Sequence, residues 1–309
     1  MPLQTTSPIR SAPPPTAPNN AKGLVLMFFG FSFFAAADAQ AKLLTAHLPS
    51  LEITWFRMLG LFFGVLVILA LRGSHVLRSK TPVLQIMRGI AAAGSATLFI
   101  TAVRHVPLAD AVAVSFIAPF IVTIFGALLL REPVGPRRWT AVAIGFVGML
   151  IVIRPGLGVF HPAILLVVAA ASLFAFRQIL SRWLSGGDSP VTTVAYTSIT
   201  ATVILSVAVP FVWQAPTGWQ TWVLLFGLTC TSAGGEVLVI RALDMAQAVV
   251  LAPLHYTLIL WGTLYGYLAF SDLPDQWTLL GCAVIVVSGL YTLHRERLNA
   301  RRKTQSAVS

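Results

Sequence analysis

ADAVAVSFIAP (residues 109–119) and LDMAQAVVLAP (243–253) are one pattern written twice, an acidic residue and then an apolar run that ends in Ala-Pro. Asp110 and Pro119 stand nine residues apart, as do Asp244 and Pro253, and the second copy follows the first by 134 residues. Working outward, SFFA (32–35) returns as SLFA (172–175) at an offset of 140, where Asp38 and Lys42 meet Gln178 and Arg182. LLLREP (128–133) before Trp139 and Thr140 has a looser counterpart in AFSDLP (269–274) before Trp277 and Thr278. Self-similarity at one long period predicts two related halves.

The repeat is embedded in apolar sequence. Hydrophobic residues make up 57% of the chain and charged residues 10%, with a mean hydropathy of +0.83. Soluble domains carry about 25% charged residues, so this chain lacks the polar surface to face water all round. Apolar runs fall at 23–42, 54–72, 84–103, 109–130, 139–153, 162–183, 191–213, 220–240, 246–270 and 277–294. Roughly 20 apolar residues cross a bilayer, so these ten runs predict an all-α membrane protein of ten transmembrane helices, five to each half. The halves run over 22–156 and 161–295, between a disordered Pro/Ser/Thr-rich tail (1–21) and a basic tail (296–309). A competing reading takes AAADAQA (35–41) as a signal-peptide cleavage site, which leaves nine spans and removes an element that the repeat uses.

Charge gives the orientation. With the N-terminus in the cytoplasm, the cytoplasmic segments hold Arg10, Lys22, Arg72, Arg78, Lys80, Arg131, Arg137, Arg138, Arg182, Arg241 and the cluster from Arg295 to Lys303. The external loops keep Arg104 and Arg154, a bias of fifteen to two that places both termini in the cytoplasm. The net charge of +11 follows from this placement and does not point to a nucleic-acid partner. Five spans per half is an odd number, so the halves are inverted, an architecture of transporters that bind substrate between the repeats near the midplane.

Several stretches resemble the drug/metabolite transporter (DMT) superfamily, in its ten-span members with two EamA-type domains. They are EITWFRMLG (52–60), LQIMRGI (84–90), the run from Asp110 to Gly156 and the run from Val250 to Tyr291. RPGLGVFHPA (154–163) and FSDLPDQWTLLG (270–281) are similar to members that take up riboflavin or S-adenosylmethionine. The resemblance implies a multi-pass protein of the cell inner membrane that works as a secondary transporter without cofactor, and riboflavin uptake is the favoured expectation. S-adenosylmethionine uptake or exchange, and amino-acid or drug efflux, are the alternatives. No GxxxxGK(S/T) phosphate loop occurs, in keeping with transport that uses no ATP.

Ionisable and polar groups inside the runs are the candidate substrate-binding residues, because each is expensive in a membrane. Asp38 and Lys42 share a helix face, either as part of a cavity wall with Gln40 or as an intrahelical ion pair. Arg57 and Arg88 sit one turn into their spans, as anchors or, for Arg88, as a cavity group. Gln178 matches Asp38 by the repeat, whereas Arg177 and Arg182 are expected to snorkel to the cytoplasmic face. Glu236 is a proton or cation site or a partner for Arg177 or Arg241. His255, Tyr256 and Trp261, with Ser115, Phe33 and Phe116, offer aromatic and hydrogen-bonding groups to a flat ligand. Pro119 and Pro253 are hinge candidates that free backbone carbonyls.

Asp110 and Asp244 are expected as helix N-caps, and Glu132 and Asp272 as interface residues. Cys230 and Cys282 are expected as packing residues, and neither they nor other residues form a metal pattern. Small residues in GFVG (145–148) and at Gly281 and Gly289 allow close packing between spans or within a homodimer. An enzyme is not indicated, because HExxH and GxSxG are both missing from the sequence. The expected partners are the lipid bilayer and a small-molecule substrate.

Overall fold

In lipid a backbone amide has no water to bond, so an apolar run satisfies its own N–H and C=O groups by coiling into a helix. The computed structural model describes residues 20–131, 135–154, 161–184, 188–246 and 248–306; the 1–19 part of the tail and Glu132 lie outside them. The regular elements among the described residues are all helical, and each of the ten apolar runs is mainly helix, the fourth and ninth in two or more pieces. The first half comprises α1 (Asn20–Leu44), α2 (Ser50–Arg72), α3 (Pro82–Val103), α4 (Leu108–Ser115), α5 (Ala118–Leu129) and α6 (Pro136–Ile153). The second comprises α7 (Ile164–Leu184), α8 (Pro190–Ala208), α9 (Trp219–Met245), α10 (Ala248–Leu251), α11 (Thr257–Phe270) and α12 (Gln276–Ser306). α12 runs on past 295, the expected end of the second half, to Ser306.

Among the described residues seven helices are long and apolar enough to cross a membrane, counting α4 with α5 as one, and shorter apolar helices span Trp139–Ile153 and Gln276–Tyr291. Their outward faces carry bare apolar side chains, among them Leu71 at 80% exposure and Phe226 at 72%. Such a surface belongs in lipid, and the chain is a multi-pass membrane protein.

The fourth and ninth runs are broken helices. Pro119 has no N–H to donate, so it sits in the first turn of α5, where none is needed, and α4 ends before it at Ser115. Pro253 does the same in a 3₁₀ turn, Ala252–Tyr256, between α10 and α11. Both breaks end alike: Arg131 after α5 and Ser271 after α11, 140 residues apart, take left-handed φ of 53° and 57°. The largest buried cluster surrounds the first break, with Phe116, Ile117 and Phe120, and Tyr256 and Leu258 of the second break pack against it.

The nine most extensive helix interfaces all join one half to the other, so neither half builds a core alone. They obey one exchange rule. α1 packs on α9 as α7 packs on α3; α2 on α9 as α8 on α3; α1 on α11 as α7 on α5. α2–α8 and α6–α12 are their own mates, and α4–α11 joins the fourth run to its mate, the ninth. The halves are therefore interlocked by a pseudo-two-fold relation, which the repeated sequence predicts.

Small residues set the close approaches. A Cβ on Gly281 would lie 2.6 Å from the Gly148 carbonyl oxygen and 2.5 Å from Val152, which brings α6 and α12 nearly backbone to backbone. Gly145 receives the Phe120 ring and Gly289 the Tyr256 hydroxyl. These glycines are thus used between spans of one chain. Cys282 is buried as expected, but Cys230 lies exposed on α9.

Candidate functional site

Polar groups cluster along the seam between the halves at three levels. The end of the bundle that carries the α1 C-terminus is tied by several links. Lys42 Nζ lies 3.4 Å from Asp272 Oδ2, donates to the Val106 carbonyl at 3.1 Å and sits 4.6 Å over the Phe270 ring. Thr278 donates its hydroxyl to Asp110 at 2.9 Å, and Arg154 pairs with Asp275 at 2.6 Å. Asp275 also caps α12, accepting the Thr278 N–H at 2.8 Å. Burial pushes the Asp275 carboxyl up, but the Thr278 N–H and the Arg154 charge outweigh it and hold the group below its ordinary value.

These contacts correct two expectations. Asp38 and Lys42 do not pair along α1, because each finds a partner on another element. Asp110 and Asp244 are not N-caps: Asp110 lies inside the first turn of α4, which follows Pro107, and Asp244 lies in the last turn of α9. Asp272 is the interface residue expected.

Between this end and the middle, Arg57 of α2 donates to Asp38 Oδ1 at 2.6 Å, both side chains being about 15% exposed. Thr231 of α9 donates to Gln40 Oε1 at 2.9 Å. Asp38 and Gln40 are thus engaged with protein groups. At the breaks, the Phe116 and Tyr256 rings stack with centroids 5.4 Å apart, and the Ser115 hydroxyl returns to its own helix at Val112 O, 2.7 Å away. Trp261 stacks on Tyr265, whose hydroxyl bonds Ser32, and its buried Nε1 has no hydrogen-bond partner. His255 is exposed with its ring 4.6 Å from Phe31. Phe33 is 39% exposed and does not join the Phe116–Tyr256 pair.

The third level holds the charged interior. Arg88 Nε donates to Ser181 of α7 at 2.8 Å, and its Nη1 donates to Thr197 of α8 and, at 3.5 Å, to the Thr193 carbonyl. Ser181 in turn bonds the Arg177 carbonyl at 2.9 Å. Arg177 does not snorkel outward. Its guanidinium lies over the Phe174 ring at 4.8 Å, and its buried Nε has no partner among the described residues. Glu236 of α9 makes no ion pair with Arg177 or Arg241 within 4 Å among the described residues, yet its charge acts on both Arg177 and Arg88. α7 and α9 share no extended packing, so Glu236 and Arg177 come from helices that are not neighbours. Gln178 borders this level half-buried, without a hydrogen bond among the described residues.

At the far end, Asp188 accepts the Lys80 N–H at 2.9 Å, Gln85 Nε2 at 2.8 Å and the Ser79 hydroxyl. The Ser79 bond, with those from Gln85 and Lys80, holds the Asp188 carboxyl below its ordinary value against its desolvation. At the opposite end Glu52 accepts the Gln214 N–H at 3.1 Å. By the exchange rule these are the same latch: an acid at the start of a half's second run holds the other half's loop between its second and third. Sequence reading missed both, since neither acid lies within an apolar run.

Comparison with known proteins fits this picture. The EamA-like transporter family matches twice, over residues 21–154 and 161–293. An S-adenosylmethionine uptake transporter of Rickettsia felis is 30% identical over 278 residues, covering 88% of this chain and 92% of its own length. A riboflavin transporter of Vibrio cholerae is 34% identical over 203 residues, covering 65% and 68%. The pseudopaline exporter CntI of Pseudomonas aeruginosa is 28% identical over 271 residues, covering 86% and 94%. A solved structure 19% identical in sequence covers 90% of the chain with a TM-score of 0.60, a likeness of fold. With both halves matched over nearly all the described chain, the protein belongs to the EamA-like transporter family.

Proposed function

We propose that the chain is a secondary transporter crossing the inner membrane ten times, with both termini in the cytoplasm, that takes up S-adenosylmethionine through the seam between its halves. The observation that supports the substrate is the charged level at Arg88, Arg177 and Glu236, where, among the described residues, the carboxylate has no ion pair and the Arg177 Nε no hydrogen-bond partner. Unpaired charge within a membrane is costly, and a neutral ligand leaves that cost unrelieved. S-adenosylmethionine brings a carboxylate, an ammonium and a sulfonium to such a place. The relative from Rickettsia felis, matched over 92% of its length, supports the same choice.

Riboflavin, which the sequence favoured, is the second reading. The Phe116–Tyr256 stack at the helix breaks suits a flat ring, and the Vibrio cholerae relative supports it. Uptake of labelled S-adenosylmethionine into proteoliposomes of the full chain decides between them. Saturable uptake that riboflavin does not compete is expected. Saturable riboflavin uptake, with none of S-adenosylmethionine, overturns the choice. For orientation, a fluorescent protein that matures only in the cytoplasm should be bright when fused after Ser309.

A further inference from the structure

Resting on that reading of the substrate, we infer that the Arg88–Arg177–Glu236 level is an amphoteric clamp for an α-amino-acid head group, with Arg177 taking the carboxylate and Glu236 the α-ammonium.

The three side chains have different freedoms. Arg88 is fixed: α7 and α8 supply acceptors to both its Nε and its Nη1, so its charge is set in place and three of its five N–H groups are committed. Arg177 stands one helical turn from Ser181 and lies against the Phe174 face, where cation–π attraction orients the guanidinium. Its Nε is buried, with no acceptor among the described residues. A buried donor in that state costs about 1–3 kcal/mol until something accepts from it. Glu236 approaches from α9, within electrostatic reach of both arginines and held by no ion pair. Two positive groups, linked through Ser181 between α3 and α7, therefore share their field with one negative group on α9, a helix with no extended packing on either.

A free carboxylate there would bond Arg177 in the fork geometry that guanidinium favours. An ammonium on the adjacent carbon would lie on the Glu236 side. The head group is neutral overall, so it joins the site without adding net charge. A ligand with the head group but a different tail keeps both contacts, whereas one without it keeps neither.

Thermal protection of the detergent-purified full chain separates the outcomes, with four probes: S-adenosylmethionine, S-adenosylhomocysteine, methylthioadenosine and riboflavin. Methylthioadenosine has the adenosyl group but no amino-acid end; S-adenosylhomocysteine has the head group but no sulfonium. Protection by the first two, with methylthioadenosine at least ~10-fold weaker, is expected, because a site built for a polar group rejects an analogue that lacks it. Equal protection by methylthioadenosine overturns the clamp and leaves the proposed substrate standing. Protection by riboflavin alone, or by no probe, overturns both. Glu236→Gln, which keeps size and shape, should lower the affinity for S-adenosylhomocysteine ~10-fold or more while leaving the unliganded melting temperature near that of the parent. An unchanged affinity removes Glu236 from the clamp.

Discussion

Lys42→Met should loosen the end of the bundle that Lys42 and Asp272 hold together. The ammonium group reaches the other half twice, at 3.4 Å to Asp272 and over the Phe270 ring at 4.6 Å. Asp272 is 42% exposed, so solvent screens the ion pair to about 0.5 kcal/mol. The cation–π contact adds about 0.5–1 kcal/mol. The bond to Val106 lies within the first half and need not break when the halves part. Methionine keeps the apolar stem packed and removes only the charge. The loss across the seam is then about 1–1.5 kcal/mol, or ~5- to 12-fold in the population with that end open. A reporter cysteine, Gln40→Cys in a Cys230→Ala/Cys282→Ala background, reads this as a labelling rate with a membrane-impermeant maleimide. The rate should rise ~5- to 12-fold with Lys42→Met and ~2-fold with Asp272→Asn. An unchanged rate in a protein of unchanged melting temperature refutes the reasoning that these contacts hold that end of the bundle together.

Three further outcomes follow from the packing and the ion pairs. Asp38→Asn strands the Arg57 charge in a site where both side chains are about 15% exposed, and should cost about 3 kcal/mol by thermal unfolding. Adding Arg57→Met should recover most of that loss. Gly281→Leu drives a side chain into Val152 and the Gly148 carbonyl and should destabilise by about 1–3 kcal/mol, visible as a lower melting temperature in detergent. Asp188 and Asp275 both have depressed carboxyl values in the folded state. Their contribution is present above the unfolded carboxylate range near pH ~4 and disappears as pH falls through the lower folded values. Melting temperature should therefore drop below pH ~4, and less steeply in an Asp188→Asn/Asp275→Asn double variant.

Helices were legible because an apolar run in this composition has one way to satisfy its backbone, and the exchange of halves was legible because the repeat survives at Asp110/Pro119 and Asp244/Pro253. Partners were less so. The spacing of Asp38 and Lys42 along one helix says they can meet, but not that Arg57 stands nearer to one and Asp272 to the other. That depends on how α1 rotates against α2 and α11. Arg177 was misread for a related reason: its place late in the run suggested an interfacial arginine. A signal was available in Phe174, Arg177, Gln178 and Ser181, whose three- and four-residue spacing draws a polar stripe down one face of α7. Asp188 and Glu52 could not be found by asking which charges lie inside spans, since each sits where a helix begins.

The two halves share a frame but not a chemistry, and this difference places the charged site at a single level. At the offset of 140 residues, Asp38 and Arg57 correspond to Gln178 and Thr197, so the ion pair of the first half has a neutral pair as its mate. The hydroxyl of Thr197 leaves room that an arginine would fill, and Arg88 enters from α3 to bond it. That arginine is already matched with acceptors, which leaves the neighbouring Arg177 without one. α9 carries Glu236, whereas its mate α3 has no acidic residue along its length. An interlocked two-fold frame lets the halves move as equivalents. On the proposed function, the neutral pair in the second half is what leaves a guanidinium and a carboxylate to a ligand there, while the matching level of the first half is internally neutralised by Asp38 and Arg57.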